Sequence, residues 1–249
     1  MKSALLRPLL RPSLLLLAAL ACVAGAQAAD LQVAPTSVAL KPAENAGALW
    51  LSNSGGEAPL RAQVRVFRWI QENGEERLEA TRDLTVSPPM AEVPAGQRQL
   101  VRIIRTSPPA QDVETAYRVL VDELPPADAP EGGGLRFAMR YSVPVFVLPP
   151  GGRPVEHQLV ARLEHGGAQP RLVVANRGNG HAQLADLAWV GADGKRQPLI
   201  PGLVGYVLPG QAMHWTLPAD TPATPGGTFA ARINGELEEQ TLAMDPAGR

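Results

Sequence analysis

Arg61-Ala62-Gln63-Val64-Arg65-Val66-Phe67-Arg68-Trp69-Ile70, followed by Gln71-Glu72-Asn73-Gly74-Glu75, is the stretch that decides the fold. Successive residues of a β-strand point to opposite faces. Ala62, Val64, Val66 and Arg68 therefore fall on one side, and Gln63, Arg65, Phe67 and Trp69 on the other. Asn73-Gly74 tolerates the positive φ angles of a type I′ turn, so the strand reverses there into a hairpin. The same rhythm extends outward from this hairpin. From residue 31 on, short apolar alternations are broken by Pro, Gly and Asn at intervals of about 8–12 residues, the spacing of an all-β sandwich.

On the N-terminal side, Ala48-Leu49-Trp50-Leu51-Ser52-Asn53 is a strand that ends in a Ser-Gly-Gly turn. On the C-terminal side, Val93-Pro94-Ala95-Gly96 turns into an alternating strand at 99–105, and strands at 117–124 and 135–148 complete the first half. Leu148-Pro149-Pro150-Gly151-Gly152 is the domain boundary, because two prolines stiffen it and two glycines let it change direction. Residues 29–148 and 149–249 are then two domains. The second repeats the pattern more weakly, with strands at 172–176, 183–190, 206–210, 213–217 and 229–234. No helix longer than a few residues is expected, since every candidate is interrupted by Pro or Gly. The 25 prolines and 24 glycines of the chain agree with that reading.

Residues 1–28 read as a signal peptide: Lys2, Arg7 and Arg11 are basic, 14–20 is a short apolar run, and Ala26-Gln27-Ala28 supplies a cleavage site. The mature chain would begin at residue 29 or 30, outside the cytoplasm. The run is too short to span a bilayer, and no later segment reaches the roughly 20 apolar residues needed. A lipoprotein reading would use Cys22, but Ala19 stands where that signal normally has Leu. Cys22 is the single cysteine, so the mature part offers no disulfide framework, Cys₄ zinc site or cysteine nucleophile. A net charge of −1 gives neither nucleic acid nor an anionic membrane surface a reason to bind.

Catalytic chemistry leaves no trace. His157, His165, His181 and His214 match no metal-ligand spacing and read as surface or turn residues. Asp122-Glu123 and Glu238-Glu239 are adjacent pairs whose members point to opposite strand faces, so they do not form a paired acid and base. No catalytic residue, metal or cofactor is expected. One segment stands out: Leu135-Arg136-Phe137-Ala138-Met139-Arg140-Tyr141 places Leu135, Phe137, Met139 and Tyr141 on one face and Arg136, Ala138 and Arg140 on the other. Either the bulky face belongs to the protein's own core, or this is an edge strand that offers those side chains to another protein.

Together these segments resemble the periplasmic pilus chaperones of the chaperone–usher pathway. The resemblance is carried by Val33-Ala34-Pro35-Thr36-Ser37 through Ser52-Asn53, by Ser87-Pro88-Pro89 with Val93-Pro94-Ala95-Gly96-Gln97 and Leu100-Val101-Arg102-Ile103, by Glu114-Thr115-Ala116-Tyr117-Arg118 leading to Asp122-Glu123-Leu124-Pro125-Pro126, and by residues 135–149. It implies two Ig-like β-sandwich domains in a boomerang arrangement, working in the periplasm. It also implies a seventh strand that completes unfinished pilus subunits, with Leu135, Phe137, Met139 and Tyr141 as the donated side chains, before an outer-membrane usher takes the subunit over. An apolar edge of this kind also gives the free protein a reason to self-associate.

The resemblance further implies an ion pair between Arg102 and Glu114 that helps set the interdomain angle; the plainer alternative is a solvated cross-strand pair. The family's third member of that network falls on Gly235, beside Glu236. The two basic residues that hold a subunit's C-terminal carboxylate in the best-known branch fall on Ser37 and Pro144, neither of which carries charge. Tyr117-Arg118 and Pro144-Val145-Phe146 instead resemble the archaic, spore-coat-U-like branch, which puts the carboxylate anchor on Arg118 with Arg140 as helper. An outward-facing strand arginine is the other reading of Arg118. The segment between the sixth and seventh strands, 125–134, is short and lacks cysteines, unlike the long-loop builders of thin fibres. The competing functional class is an exported structural or adhesive Ig-like pilus component.

Overall fold

The computed structural model describes residues 31–55, 58–125, 138–152, 154–165, 169–222 and 226–245. Its first half contains β1 (Leu31–Ala34), β2 (Val38–Leu40), β3 (Ala46–Asn53), β4 (Leu60–Glu72), β5 (Glu75–Ala80), β6 (Leu84–Ser87), β7 (Met90–Val93), β8 (Arg98–Arg105), β9 (Thr115–Leu124) and β10 (Arg140–Val147). Its second half contains β11 (Leu159–Glu164), β12 (Arg171–Asn176), β13 (Ala182–Val190), β14 (Arg196–Val207), β15 (Ala212–Thr216), β16 (Thr228–Ile233), β17 (Glu239–Thr241) and β18 (Ala243–Met244). The described residues contain no helix.

The strands form four sheets, ordered β1-β3-β8-β6, β2-β10-β9-β4-β5 with β7 also on β4, β15-β12-β11-β18, and β14-β13-β16-β17. The alternation in the sequence explains how they stack. Leu49 and Leu51 of β3 and Val101 and Ile103 of β8 face Ala62 and Val64 of β4, Tyr117, Val119 and Val121 of β9, and Val143, Val145 and Val147 of β10 in one buried core. A second core joins Leu172 and Val174 to Leu184, Leu187, Trp189, Phe229 and Ile233. Each such side chain contributes about 1.5–3 kcal/mol by leaving water, and two sheets with one apolar face each must stack to collect it.

Asn73 (φ 55°) and Gly74 (φ 79°) form the predicted two-residue turn, with Glu72 paired to Glu75 across it. The two sandwiches also share one local lock. Asn53 is 2% exposed and donates from Nδ2 to the carbonyls of Ala58 and Val93, while Gly96 N–H donates to its carbonyl. Asn176 does the same with Gly180 and Val207, while Gly210 N–H donates to its carbonyl. In both, the Nδ2 donors tie a strand end to the neighbouring turn, and the Asn176 Oδ1 also accepts from the backbone N–H groups of Gln158 and Gly178.

The expected start of the seventh strand, at 135, lies outside the described residues. Among the described residues the strand begins at Arg140, and Leu135 and Phe137 lie outside them. Within β10 the odd-numbered residues face the protein's own core. Tyr141, expected on the donated face, packs against that core and its hydroxyl donates to Leu31 O at 2.6 Å. The reason is coverage: at Tyr141, β1 still lies over the inward face of the sheet. Tyr141 therefore closes the sandwich instead of projecting beyond it.

Candidate functional site

The outward face of the β4–β9–β10 sheet is turned toward the second sandwich. Directly opposed strand residues share a face, so the registers Phe67↔Arg118, Arg118↔Pro144 and Ala116↔Phe146 place these side chains together. Trp69, on the strand face opposite Ala62 and Val64, is nevertheless only 2% exposed. It packs with Ala116 and Phe146 from its own half and Tyr206 and Leu208 from the other. The Trp69 and Tyr206 rings meet edge to face at 5.2 Å, a favoured aromatic geometry.

Three further contacts join the halves. Gln71, 3% exposed, donates to Tyr206 O at 2.9 Å and accepts from Leu208 N–H at 2.8 Å. At the hairpin tip, Gly74 forms a bridge with Met213, and His214 Nδ1 would lie 2.2 Å from any Cβ placed at position 74. Glu114, 5% exposed, accepts from both the backbone N–H (3.1 Å) and the ring Nδ1 (2.8 Å) of His181, and its own N–H donates to Asn179 O. The His181 ring also stacks on Phe146 at 3.5 Å.

The last contact corrects the expected Arg102–Glu114 pair. Arg102 lies on the exposed face of β8, opposite Ala48 and Ser87, on the other sheet of the sandwich. Glu114 points across the domain junction instead. Nothing in the sequence flags His181, a lone histidine 67 positions away with no spacing motif. Gln71 is equally silent, because an amide one step beyond an alternating strand looks like a turn residue.

Arg118 sits at the centre of the junction. Its guanidinium carbon lies 3.6 Å over the Trp69 ring and 5.1 Å from the centre of the Tyr206 ring, a cation–π sandwich. Burial pushes the guanidinium below its ordinary pKa, while the charge of Glu76 works in the opposite direction; the group remains a cation at neutral pH. Among the described residues no carboxylate reaches ion-pairing distance of it. It opens into a cavity of about 730 Å³ between the sandwiches, whose lining includes Ser37, Ser142, Pro144, Leu203 and Trp215. Ser37 and Pro144, which lack the basic side chains of the best-known branch, thus share the cavity with Arg118.

Arg140 does not join Arg118. It bonds Asp122, which also takes Arg65 Nη2 at 2.7 Å. By register it lies four residues along β10 from Pro144, roughly 13 Å. Burial pushes the Asp122 carboxyl up, but the hydrogen bonds and charges of Arg65 and Arg140 outweigh it and hold the pKa below its ordinary value.

The edge of β10 is open over part of its length. Val145–Val147 pair in parallel with Val38–Leu40 of β2, whereas residues 140–144 pair only with β9 among the described residues. Beyond the strand, Met139 is half-buried and exchanges hydrogen bonds with Glu123: its N–H donates to Glu123 Oε2 and its carbonyl accepts from Glu123 N–H.

Two stacked Ig-like sandwiches with an arginine-floored cleft between them define a class of protein, and the comparisons identify the same class. Residues 30–153 match the family described as pili and flagellar-assembly chaperone, PapD N-terminal domain, and through them the chain belongs to the pilus chaperones, a family of chaperones and not of enzymes. No curated protein sequence matches significantly. Among solved structures, the CsuC–CsuE chaperone–tip adhesion subunit pre-assembly complex from archaic chaperone–usher Csu pili of Acinetobacter baumannii aligns with a TM-score of 0.68 at 22% identity, over 87% of this chain and 98% of that one. The E. coli chaperone DraB aligns at 0.58 and 20%, over 86% and 96%. The Salmonella enterica complex of SafA pilin with the SafB chaperone aligns at 0.58 and 21%, over 86% and 95%. These likenesses show the shared fold. No helix among the described residues is long and apolar enough to cross a membrane.

Proposed function

We propose that this protein is a periplasmic chaperone of an archaic-type chaperone–usher system that captures pilus subunits by strand donation and passes them to an outer-membrane usher. In this reading residues 1–28 are removed on export, and 29–148 and 149–249 fold as the two domains. The observation that carries it is the Arg118 cation in the interdomain cavity, which among the described residues has no ion-pair partner, beside a strand whose outer edge from 140 to 144 pairs with none of the described residues. A guanidinium fork donates two parallel hydrogen bonds to a carboxylate, and the group that brings a carboxylate together with an extended backbone is the C-terminal end of a chain. That end is held at Arg118 while the subunit's last strand pairs with β10 and its extension. Leu135, Phe137 and Met139 then fill the subunit's incomplete core. Handover needs no ATP, because the next subunit's own extension replaces this strand with a better fit. An unloaded copy presents the same edge and has the same reason to pair with a second copy.

Arg118→Ala should abolish co-purification of a co-expressed subunit while lowering the melting temperature by only a few degrees, since the cation–π attraction to the two rings amounts to about 1–2 kcal/mol. Undiminished capture would exclude Arg118 as the anchor. Phe137→Asp with Met139→Asp tests the donated strand separately: the variant should remain folded and capture no subunit.

A further inference from the structure

We infer that the second domain reads the side chain of the cargo's last residue, through an apolar seat made by Leu203, and so selects chains with an apolar C-terminal residue. This rests on the proposed carboxylate anchor at Arg118 and adds a contact from the opposite wall of the cleft.

The seat is built by an irregularity in β14, the edge strand of its sheet. The registers Leu184↔Gly205 and Ala188↔Pro198 oppose five residues of β13 (184–188) to eight of β14 (198–205), so β14 swells outward between them. Asp186 shapes the swelling. It adopts a positive φ of 52°, its Oδ1 accepts from Gly202 N–H at 2.8 Å, and its other oxygen pairs with Arg232 at 3.2 Å. Gly202, at φ 69°, makes the turn that this bond closes.

The swelling delivers Leu203 into the cavity that Arg118 floors, together with Val204, Gly205 and Trp215. Gly205 leaves room for the Trp215 ring, which lies 3.0 Å from where a Cβ would stand. A bulge that only protected a sheet edge would carry a charged or polar residue outward. This one carries a leucine that is 59% exposed.

Bulges and positive-φ residues held by side-chain bonds concentrate where a side chain must be aimed. Two of the polar groups that line it are already engaged: Gln183 donates to the Tyr206 hydroxyl, and Asn234 accepts from Gln183 N–H. The lining also carries the Glu76 carboxylate, which accepts from Gln71 Nε2 at 3.3 Å, and the hydroxyls of Thr36, Ser37 and Ser142; among the described lining residues Arg118 is the only arginine or lysine, and Leu203 is the large apolar side chain left exposed. The complementary chemistry is a free carboxylate with an apolar side chain next to it.

The test uses fluorescence anisotropy on the full mature chain with labelled synthetic ten-residue peptides that differ only in the last residue (Leu, Phe, Ser or Asp), each as free acid and as amide. The wild type should prefer Leu and Phe acids over Ser and Asp acids by about tenfold. Leu203→Ser, an exposed substitution, should reduce that preference to less than twofold and keep the preference for acid over amide. Arg118→Ala should lose the acid preference. A wild type that binds all final residues alike, or none, overturns the inference, as does a preference that survives Leu203→Ser. Equal binding of acids and amides by the wild type, with the Leu203-dependent preference intact, would overturn the carboxylate anchor and leave the apolar seat standing.

Discussion

Truncating Gln71 should loosen the junction between the sandwiches without damaging either core. Its side chain makes two buried bonds across that junction, from Nε2 to Tyr206 O and from Leu208 N–H to Oε1. Gln71→Ala removes both, at about 1 kcal/mol each, and strands the Leu208 N–H, which costs about 1–3 kcal/mol more if the site stays dry. Opening the junction lets water reach that donor and relieves part of the cost, so the expected effect is about 2–4 kcal/mol on docking of the halves. The direct assay is hydrogen exchange at the Leu208 amide, whose protection should fall roughly thirty- to several-hundred-fold, while amides in the middle of β9 and β13 change much less. Gln71→Glu keeps the acceptor for Leu208 but removes the donor to Tyr206, so protection at Leu208 should fall less than in the alanine variant. Leu208 protection within threefold of wild type in Gln71→Ala would refute the reasoning and assign the junction to its aromatic cluster.

Two further expectations follow from the side-chain hydrogen bonds of Glu114 and Asp122. His181→Ala removes both the ring donor to Glu114 and the stack on Phe146, leaving a buried carboxylate short of a partner; it should cost about 2–3 kcal/mol in urea unfolding, whereas Arg102→Ala, on an exposed face, should cost under about 0.5 kcal/mol. Asp122 has a folded pKa below its ordinary 3.8, so its contribution is present above that value and lost as the pH falls through the folded pKa. The difference in melting temperature between wild type and Asp122→Asn should therefore be largest near neutrality and shrink below about pH 4; with both arginines well exposed, the stability involved is at most about 1 kcal/mol.

The fold is legible in the sequence because strand alternation is dense and unambiguous here. The side assigned to Ala62, Val64 and Val66 is the side that packs inward, and Asn73-Gly74 turns where its φ preferences require. The anchor candidate is legible only through the resemblance, and its environment is not: Trp69 and Phe67 look alike as outward aromatics until Tyr206, more than a hundred residues on, covers one of them. The resemblance marks Glu114 as interdomain, but the partner it transfers is wrong. His181 takes that place, because a rewired contact leaves no spacing pattern in either half. Tyr141 departs from expectation because alternation assigns a face and does not say where a strand's own sheet stops covering it. Arg140 departs for the mirror-image reason: it has the right charge on the right face but is already occupied by Asp122.

The position of Arg118 directly across from Pro144 gives the cleft a zero mark. On the proposed reading, a subunit's final atom is pinned there and its strand is laid back along β10, so its alignment is counted from its own terminus rather than found by trial. Because strand side chains alternate, one residue added to or removed from that terminus would turn every apolar side chain on the strand to the wrong face. The chaperone would then act as a length gauge, rejecting a truncated or read-through chain of otherwise identical sequence before it reached the fibre.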